Sequence, residues 1–434
     1  MSMNRRSVLK TAAALGLMAG GGLTSFAKAW AQEAKFKPED GAAITFLRYK
    51  GFLQVEAQKF QAICDAFSSA TGAKVTVATE SIDDIQPKAA IAANTGSGPD
   101  IILGLYSLAH LFSDKCLDLT DLASDIGTKA GGWFPSAEKY GRSKDKWISI
   151  PFFFTGNPLN YRVSHIEKAG FKEVPKDLPG FAELLKALKA NGTPGGFALG
   201  HATSDANNWT HWCLWAHNGS LIDENANVII NSPETEAALV YAKQIAEHFA
   251  PGAASWNDGS NNKAFLAGEL SLTNNGISIY LTAKKDKPDV AADMNHAWFP
   301  IGPAGKATTF DTCYAANVLN YTKYPEACKA LLSFFMAVNE YGDYLNTSGG
   351  FISHPLKAFD DNPVWSSDPK VALLKDTAAN TMTAGHRGPV DQRAAAALSD
   401  FIIVDMFANV CTGAQDPQTA MKNAERQAKR IYRS

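Results

Sequence analysis

Apolar residues recur in this chain at every second position and then at every third or fourth, and the two periods alternate from Ala43 onward. Ala43 to Leu47 is a short apolar strand, and Val55 to Ala70 sets Phe60, Ile63, Cys64 and Phe67 on one helical face with Gly72 as its stop. Lys74 to Ala78 alternates apolar and polar as a second strand, and Ile85 to Ala93 is a helix. Thr95-Gly96-Ser97-Gly98-Pro99 then turns the chain into Asp100 and the apolar strand Ile101 to Leu105. Strands alternating with helices of this length predict a mostly parallel sheet covered on both faces, with ligands at the carboxyl ends of the strands.

The pattern breaks at Ser149. Ile150-Pro151-Phe152-Phe153-Phe154 is extended and leads through Gly156 into a strand at Leu159 to Arg162, which reads as a crossing between two lobes. A second alternating series follows: a helix at Gly180 to Ala190, a strand at Phe197 to Gly200, and a helix from about Asn208 to Ala216. A further helix opens at Ser232 with Pro233 in its first turn and Leu239, Ala242, Ile245 and Phe249 on one face. Trp298 to Pro303 is a second extended crossing, and Tyr314 to Leu345 supplies a strand and the helix around Pro325 to Val338. From Ser353 the chain reads as helical, its last helix starting at Asp416-Pro417. The 434 residues exceed what one hydrophobic core supports. The expected division is a signal over 1–31, a first lobe of 32–151 plus 304–349, and a second lobe of 152–303 plus 350–434. After the signal the longest apolar candidate is Leu331 to Val338, too short to span a bilayer.

The amino terminus determines where the protein is expected to work. Arg5 and Arg6 are followed by Ser7-Val8-Leu9-Lys10, an Ala- and Gly-rich apolar stretch to Ala27, and Ala29-Trp30-Ala31, which fits an A-x-A cleavage site. This reads as a twin-arginine export signal with Gln32 as the first mature residue and the periplasm as destination. Changing Arg5 and Arg6 to lysine is expected to leave precursor in the cytoplasm, read by fractionation; normal periplasmic recovery would overturn the route. Removing the signal takes away Arg5, Arg6, Lys10 and Lys28, so the net charge of −2 becomes −6, which gives no electrostatic reason to bind nucleic acid. The six cysteines are even in number, but a chain that folds before export buries them reduced. No CxxC or His/Cys pair has zinc spacing, so no metal is expected.

Several segments together resemble the extracellular solute-binding proteins of ABC importers, in the group that carries sugars and maltose-like oligosaccharides: Phe67 to Val77, Ile91 to Leu103, Cys116 to Leu122, Ile150 to Arg162, Ile166 to Leu185, Lys263 to Gly276 and Phe299 to Lys306. The resemblance implies two α/β lobes joined by crossing strands, a ligand clamped between them, and delivery of that ligand to a membrane permease; each lobe is expected to be a mostly parallel sheet flanked by helices, the permease to lie in the inner membrane, and the protein to be a monomer without a cofactor. A sugar site needs flat aromatics for the C–H faces and polar side chains for the hydroxyls. The candidates are Tyr49, Lys50, Glu80, Leu105 and Tyr106 after the first three strands, with Asp83 beside them. Trp209 is the stacking residue and His211 a possible ligand from the same cluster. Asn157 and Trp298 complete the set near the crossings. Asn275 closes a strand where the family often continues with a stacking tryptophan; Ile277 and Ser278 stand there instead, which implies a smaller or differently shaped ligand. Asp311 could pair hydroxyls or stabilise a turn. Gly350 and Phe351 lie near an expected third crossing, and Arg387 is either at the cleft mouth or an ordinary surface arginine.

The competing classes are an exported cofactor-dependent enzyme and the same fold binding a polyamine or another small solute. No GxGxxG opens a helix, and neither GxSxG nor HExxH occurs. Gly302-Pro303-Ala304-Gly305-Lys306 lacks phosphate-loop spacing, and the adjacent pairs Asp83-Asp84 and Asp360-Asp361 have no second motif in support.

Overall fold

The strand and helix rhythm builds a first sheet whose elements follow in chain order. They are β1 (Ala43–Tyr49), α1 (Gln54–Thr71), β2 (Lys74–Glu80), α2 (Ile85–Thr95), β3 (Ile101–Leu105) and β4 (Ile150–Thr155). The computed structural model describes Ala27 and residues 30–433; Arg5, Arg6 and nearly all of the export signal lie outside the described residues. The α1 helix ends at Gly72, whose left-handed φ of 81° returns its N–H to the Ser68 carbonyl, a conformation that glycine adopts without steric cost. Its buried face of Phe60, Ile63, Cys64 and Phe67 covers the sheet. β1 pairs parallel with β2, Ala43 opposite Lys74 through Tyr49 opposite Glu80, and parallel with β3 on its other side.

Between β3 and β4 a strand from far along the chain, β8 (Thr312–Val318), inserts antiparallel to both, giving the order β2-β1-β3-β8-β4. Gly156, Asn157 and Pro158 carry the chain out of this sheet into β5 (Leu159–Arg162), the middle strand of a second sheet. Around that sheet lie α3 (Leu178–Ala190), α4 (Asp205–Ala216) and α5 (Pro233–Ala246), with β6 (Leu272–Asn274) and β7 (Met294–Ala297) flanking β5. The segment between β7 and β8 is the return crossing. The molecule is thus an α/β protein of two lobes. The three regular strands of the second sheet pair antiparallel, and parallel pairing there is limited to single bridges at Gly195 and Asp177.

The structure corrects four local expectations. No strand forms at Phe197 to Gly200, because the Ala198 carbonyl accepts the Trp209 indole N–H at 2.6 Å and the Leu199 N–H goes to Ala253, leaving no ladder to extend. The chain does not leave the first lobe at Gly349 to Phe351. After α6 (Pro325–Phe335) and α7 (Val338–Ser348), Ser353 bridges Phe154 and Leu356 bridges Trp133, and at Asp368 it hydrogen-bonds Tyr280 and Lys284 on the second lobe. Beyond Ser353 it runs as short turns broken by Pro355, Pro363, Pro369 and Pro389, and long helix resumes only at α8 (Gln392–Ser399), α9 (Ile402–Cys411) and α10 (Pro417–Tyr432). The 20 residues Gln392–Cys411, which contain an 18-residue window of mean hydropathy 1.6, match a membrane span in length and composition better than Leu331 to Val338 does. The left-handed φ of 53° at Phe401 splits them into two helices, and half of the stretch is buried.

All six cysteines are free thiols, and burial pushes the Cys64 and Cys116 thiols up to about 12. Six thiols are therefore expected to react with Ellman's reagent after denaturation and almost none before it; fewer than six in the denatured protein would reveal a disulfide.

Candidate functional site

The carboxyl ends of β1, β2 and β3 and the amino terminus of α4 face each other between the lobes. No side chain of α4's own caps that terminus. Its orphan donors are met from another segment: both Ser204 and Asp205 give their backbone N–H to the buried Asp258 carboxylate, at 3.1 and 2.8 Å, where negative charge also suits the helix dipole. Asp205 accepts the side-chain amides of Asn261, Asn275 and Asn157 at 2.8, 3.0 and 3.1 Å. Asn157 in turn receives Asn274 on its Oδ1 and gives its backbone N–H to Asp311 at 2.8 Å. One buried polar network thus joins both crossings to α4. Burial pushes the Asp258 carboxyl up to about 6 and the Asp311 carboxyl up to about 7; Asp205 is raised by burial and by the charge of Asp258.

The lobes touch at the centre of the cleft. The Tyr106 hydroxyl donates to Asn208 Oδ1 at 2.5 Å and meets the Thr312 hydroxyl at 3.0 Å, while the Ser204 and Thr312 hydroxyls lie 2.6 Å apart. Two spaces remain beside this contact. The larger, of about 330 Å³, takes Ile82, Asp83, Ile85, Gln86, Leu105, Tyr106 and Leu108 from one side and His201, Thr203, Asn207 and Phe401 from the other. The smaller, of about 20 Å³, lies among Phe52, Thr155, Asp205, Asp258, Asn275 and Phe351. Among the described residues five non-glycines have positive φ, and two of them, Tyr106 at 51° and Phe401 at 53°, line the larger cavity. Strain of this kind collects at ligand clamps, where the surroundings hold it in place.

Of the residues singled out from sequence, Leu105 and Tyr106 line the larger cavity and Asn275 and Phe351 the smaller. Asn157 and Asp311 lie behind them in the crossing network, so Asp311 pairs with backbone. Tyr49 is fully buried, its ring 5.1 Å from that of Tyr314, which lines the smaller space. The others are not brought in. Trp209 is 0% exposed and enclosed by Phe197, Phe249 and Phe407 at 5.7–5.9 Å, so neither face of its ring is open for stacking. His211, held by the Asn207 carbonyl at 2.7 Å and pushed down to about 4 by burial, lies in the wall of a separate 20 Å³ space. Ile277 is core, and Trp298 packs toward Gly156. Lys50 is exposed and Glu80 pairs with Lys88 at 2.6 Å. Gly350, at φ 88°, accommodates Val371, and Arg387 is an exposed arginine that binds the Asn218 carbonyl just past α4. Sequence reasoning missed Asp205, Asn207 and Asp258. The first two stand beside the tryptophan cluster, but nothing local marks Asp258.

Residues 62–373 match the family described as bacterial extracellular solute-binding protein. The chain belongs to that family. A probable ABC transporter-binding protein of Deinococcus radiodurans is 23% identical over 234 residues, and the match spans 51% of this chain and 55%, about half, of that relative's length. Among solved structures, a sugar transporter of Arthrobacter chlorophenolicus with bound laminaribiose superposes with a TM-score of 0.79 at 16% identity, covering 90% of this chain and 99% of the other. A solute-binding protein of an ABC transporter from Agrobacterium radiobacter, in complex with ribitol, gives 0.75 at 19% identity over 91% and 100%. These likenesses establish the two-lobed fold.

Proposed function

We propose that this protein is the solute-binding component of an ABC importer, working outside the cytoplasm and carrying a sugar or polyol between its lobes to a membrane permease. The observation that carries the reading is the cavity of about 330 Å³ with walls from both lobes, a size usual for a small-molecule site. A ligand that touches Leu105 and Tyr106 on one side and Thr203 and Asn207 on the other favours the closed arrangement, because those contacts exist together only there. The sugar- and polyol-bound relatives support the ligand class. In this reading the protein is a monomeric binder and not an enzyme, exported with the amino-terminal signal removed. Its lobes are close to 32–151 plus 304–349 and 152–303 plus 350–434, with the second return displaced beyond Phe359.

A panel of sugars and polyols, read by thermal denaturation, tests the reading. A true ligand at about 100 times its dissociation constant stabilises the fold by about 2.7 kcal/mol and raises the melting temperature by several degrees. A panel that moves it for no polyhydroxylated compound would count against the reading.

A further inference from the structure

The charges around the two interlobe spaces are one-sided. Asp83 reaches the larger from the first lobe, Asp205 and Asp258 flank the smaller from the second, and neither space is lined by a lysine or arginine. Of the other titratable groups there, the Tyr106 and Tyr314 phenols are buried and held in the neutral form, and His201 is at the exposed rim and already paired with Asp405 at 2.7 Å. Elsewhere the chain does match buried acid with base: Glu56 holds Arg48 at 2.8 Å. In the cleft it does not. Asp258 is met by backbone N–H groups and Asp205 by asparagine amides, all neutral donors.

A second observation points the same way. Asn207 lines the larger cavity and is only 2% exposed. Its Nδ2 donates to the Thr203 carbonyl at 3.0 Å, which fixes the orientation of the amide, and its buried Oδ1 then has no partner. A buried acceptor without a donor is unfavourable by itself. Asp83 lines the same space and accepts a long contact, 3.4 Å, from the Thr203 hydroxyl on one oxygen. The wall of this cavity therefore combines an acidic side chain from the first lobe with a residue of the second that bears an unpartnered acceptor, and it includes no lysine or arginine.

We propose, resting on the reading of the cleft as a sugar or polyol site, that the preferred ligand carries an ammonium group: an amino sugar or aminated polyol. The ammonium lies between Asp83 and Asn207 Oδ1 and supplies the missing counter-charge, and the hydroxyls meet Ser107, Thr203 and Ser399 on the cavity wall. An ammonium offers three donors and a charge, where a hydroxyl offers one donor and none. It would also favour the ionised form of Asp258, which burial alone disfavours.

Isothermal titration with matched pairs tests this: D-glucosamine against D-glucose, and D-glucamine against D-sorbitol, with 1,4-diaminobutane as an amine without hydroxyls. The amine of at least one pair is expected to bind about tenfold or more tighter than its neutral partner, and the advantage to shrink as salt rises from roughly 0.05 to 0.5 M. In Asp83→Asn, checked for an unchanged circular dichroism spectrum, the amine-to-neutral ratio is expected to fall to within about twofold. Equal or tighter binding of the neutral partners would overturn the amine preference and leave the sugar-site reading intact. Tightest binding of the diamine, or no binding by any polyhydroxylated compound, would overturn both.

Discussion

Trp209→Ala is expected to destabilise the protein by about 3–5 kcal/mol, the range for removing a large aromatic from a packed core. The ring is completely buried and touches three phenylalanines, and its indole N–H satisfies the Ala198 carbonyl, which would be left without a partner. Denaturant unfolding of the variant measures the loss. A variant as stable as the parent but weakened in sugar binding would contradict the core assignment and restore Trp209 to the ligand.

Asp311→Asn is expected to remove a pH-dependent burden of similar size. Burial raises this carboxyl from 3.8 to about 7, so the folded protein holds its proton through a range in which the unfolded chain has lost it. Stability from this group is complete below pH 4, falls as pH rises from about 4 to about 7, and is flat above that. The full loss is on the order of 4 kcal/mol. The buried His211 and His296, both pushed down to about 4, slope the opposite way: their contribution is present above pH 6.5 and is lost as pH falls toward 4. The informative quantity is therefore the difference between variant and parent. Asparagine keeps an oxygen for the Asn157 N–H but has no proton to lose, so the variant should gain on the parent between pH 4 and pH 7. A difference independent of pH would show that Asp311 titrates normally.

The first sheet was legible because its signals are local: Gly72 and Gly96 close the two helices in left-handed conformations, and β1, β3 and β4 are short, mostly apolar runs. The insertion of β8 between β3 and β4 depends on pairing across about two hundred residues, which periodicity does not encode. The site was legible where it follows strand ends, as with Leu105 and Tyr106. It failed where composition stood in for burial. Three tryptophans spaced by three suggest stacking platforms, yet all twelve residues of α4 are buried, and what faces the cleft is its polar first turn with the residues just before it. Asp258 and the free Asn207 oxygen are visible only once the helix terminus and the amide orientation are known.

Small-angle scattering with and without a compound that raises the melting temperature tests the central claim most directly. The contacts of Tyr106 with Asn208 and of Ser204 with Thr312 belong to a closed cleft. A protein that captures its solute by closing shows a larger radius of gyration when unliganded and a smaller one at saturation. The same radius in both conditions would contradict capture between moving lobes.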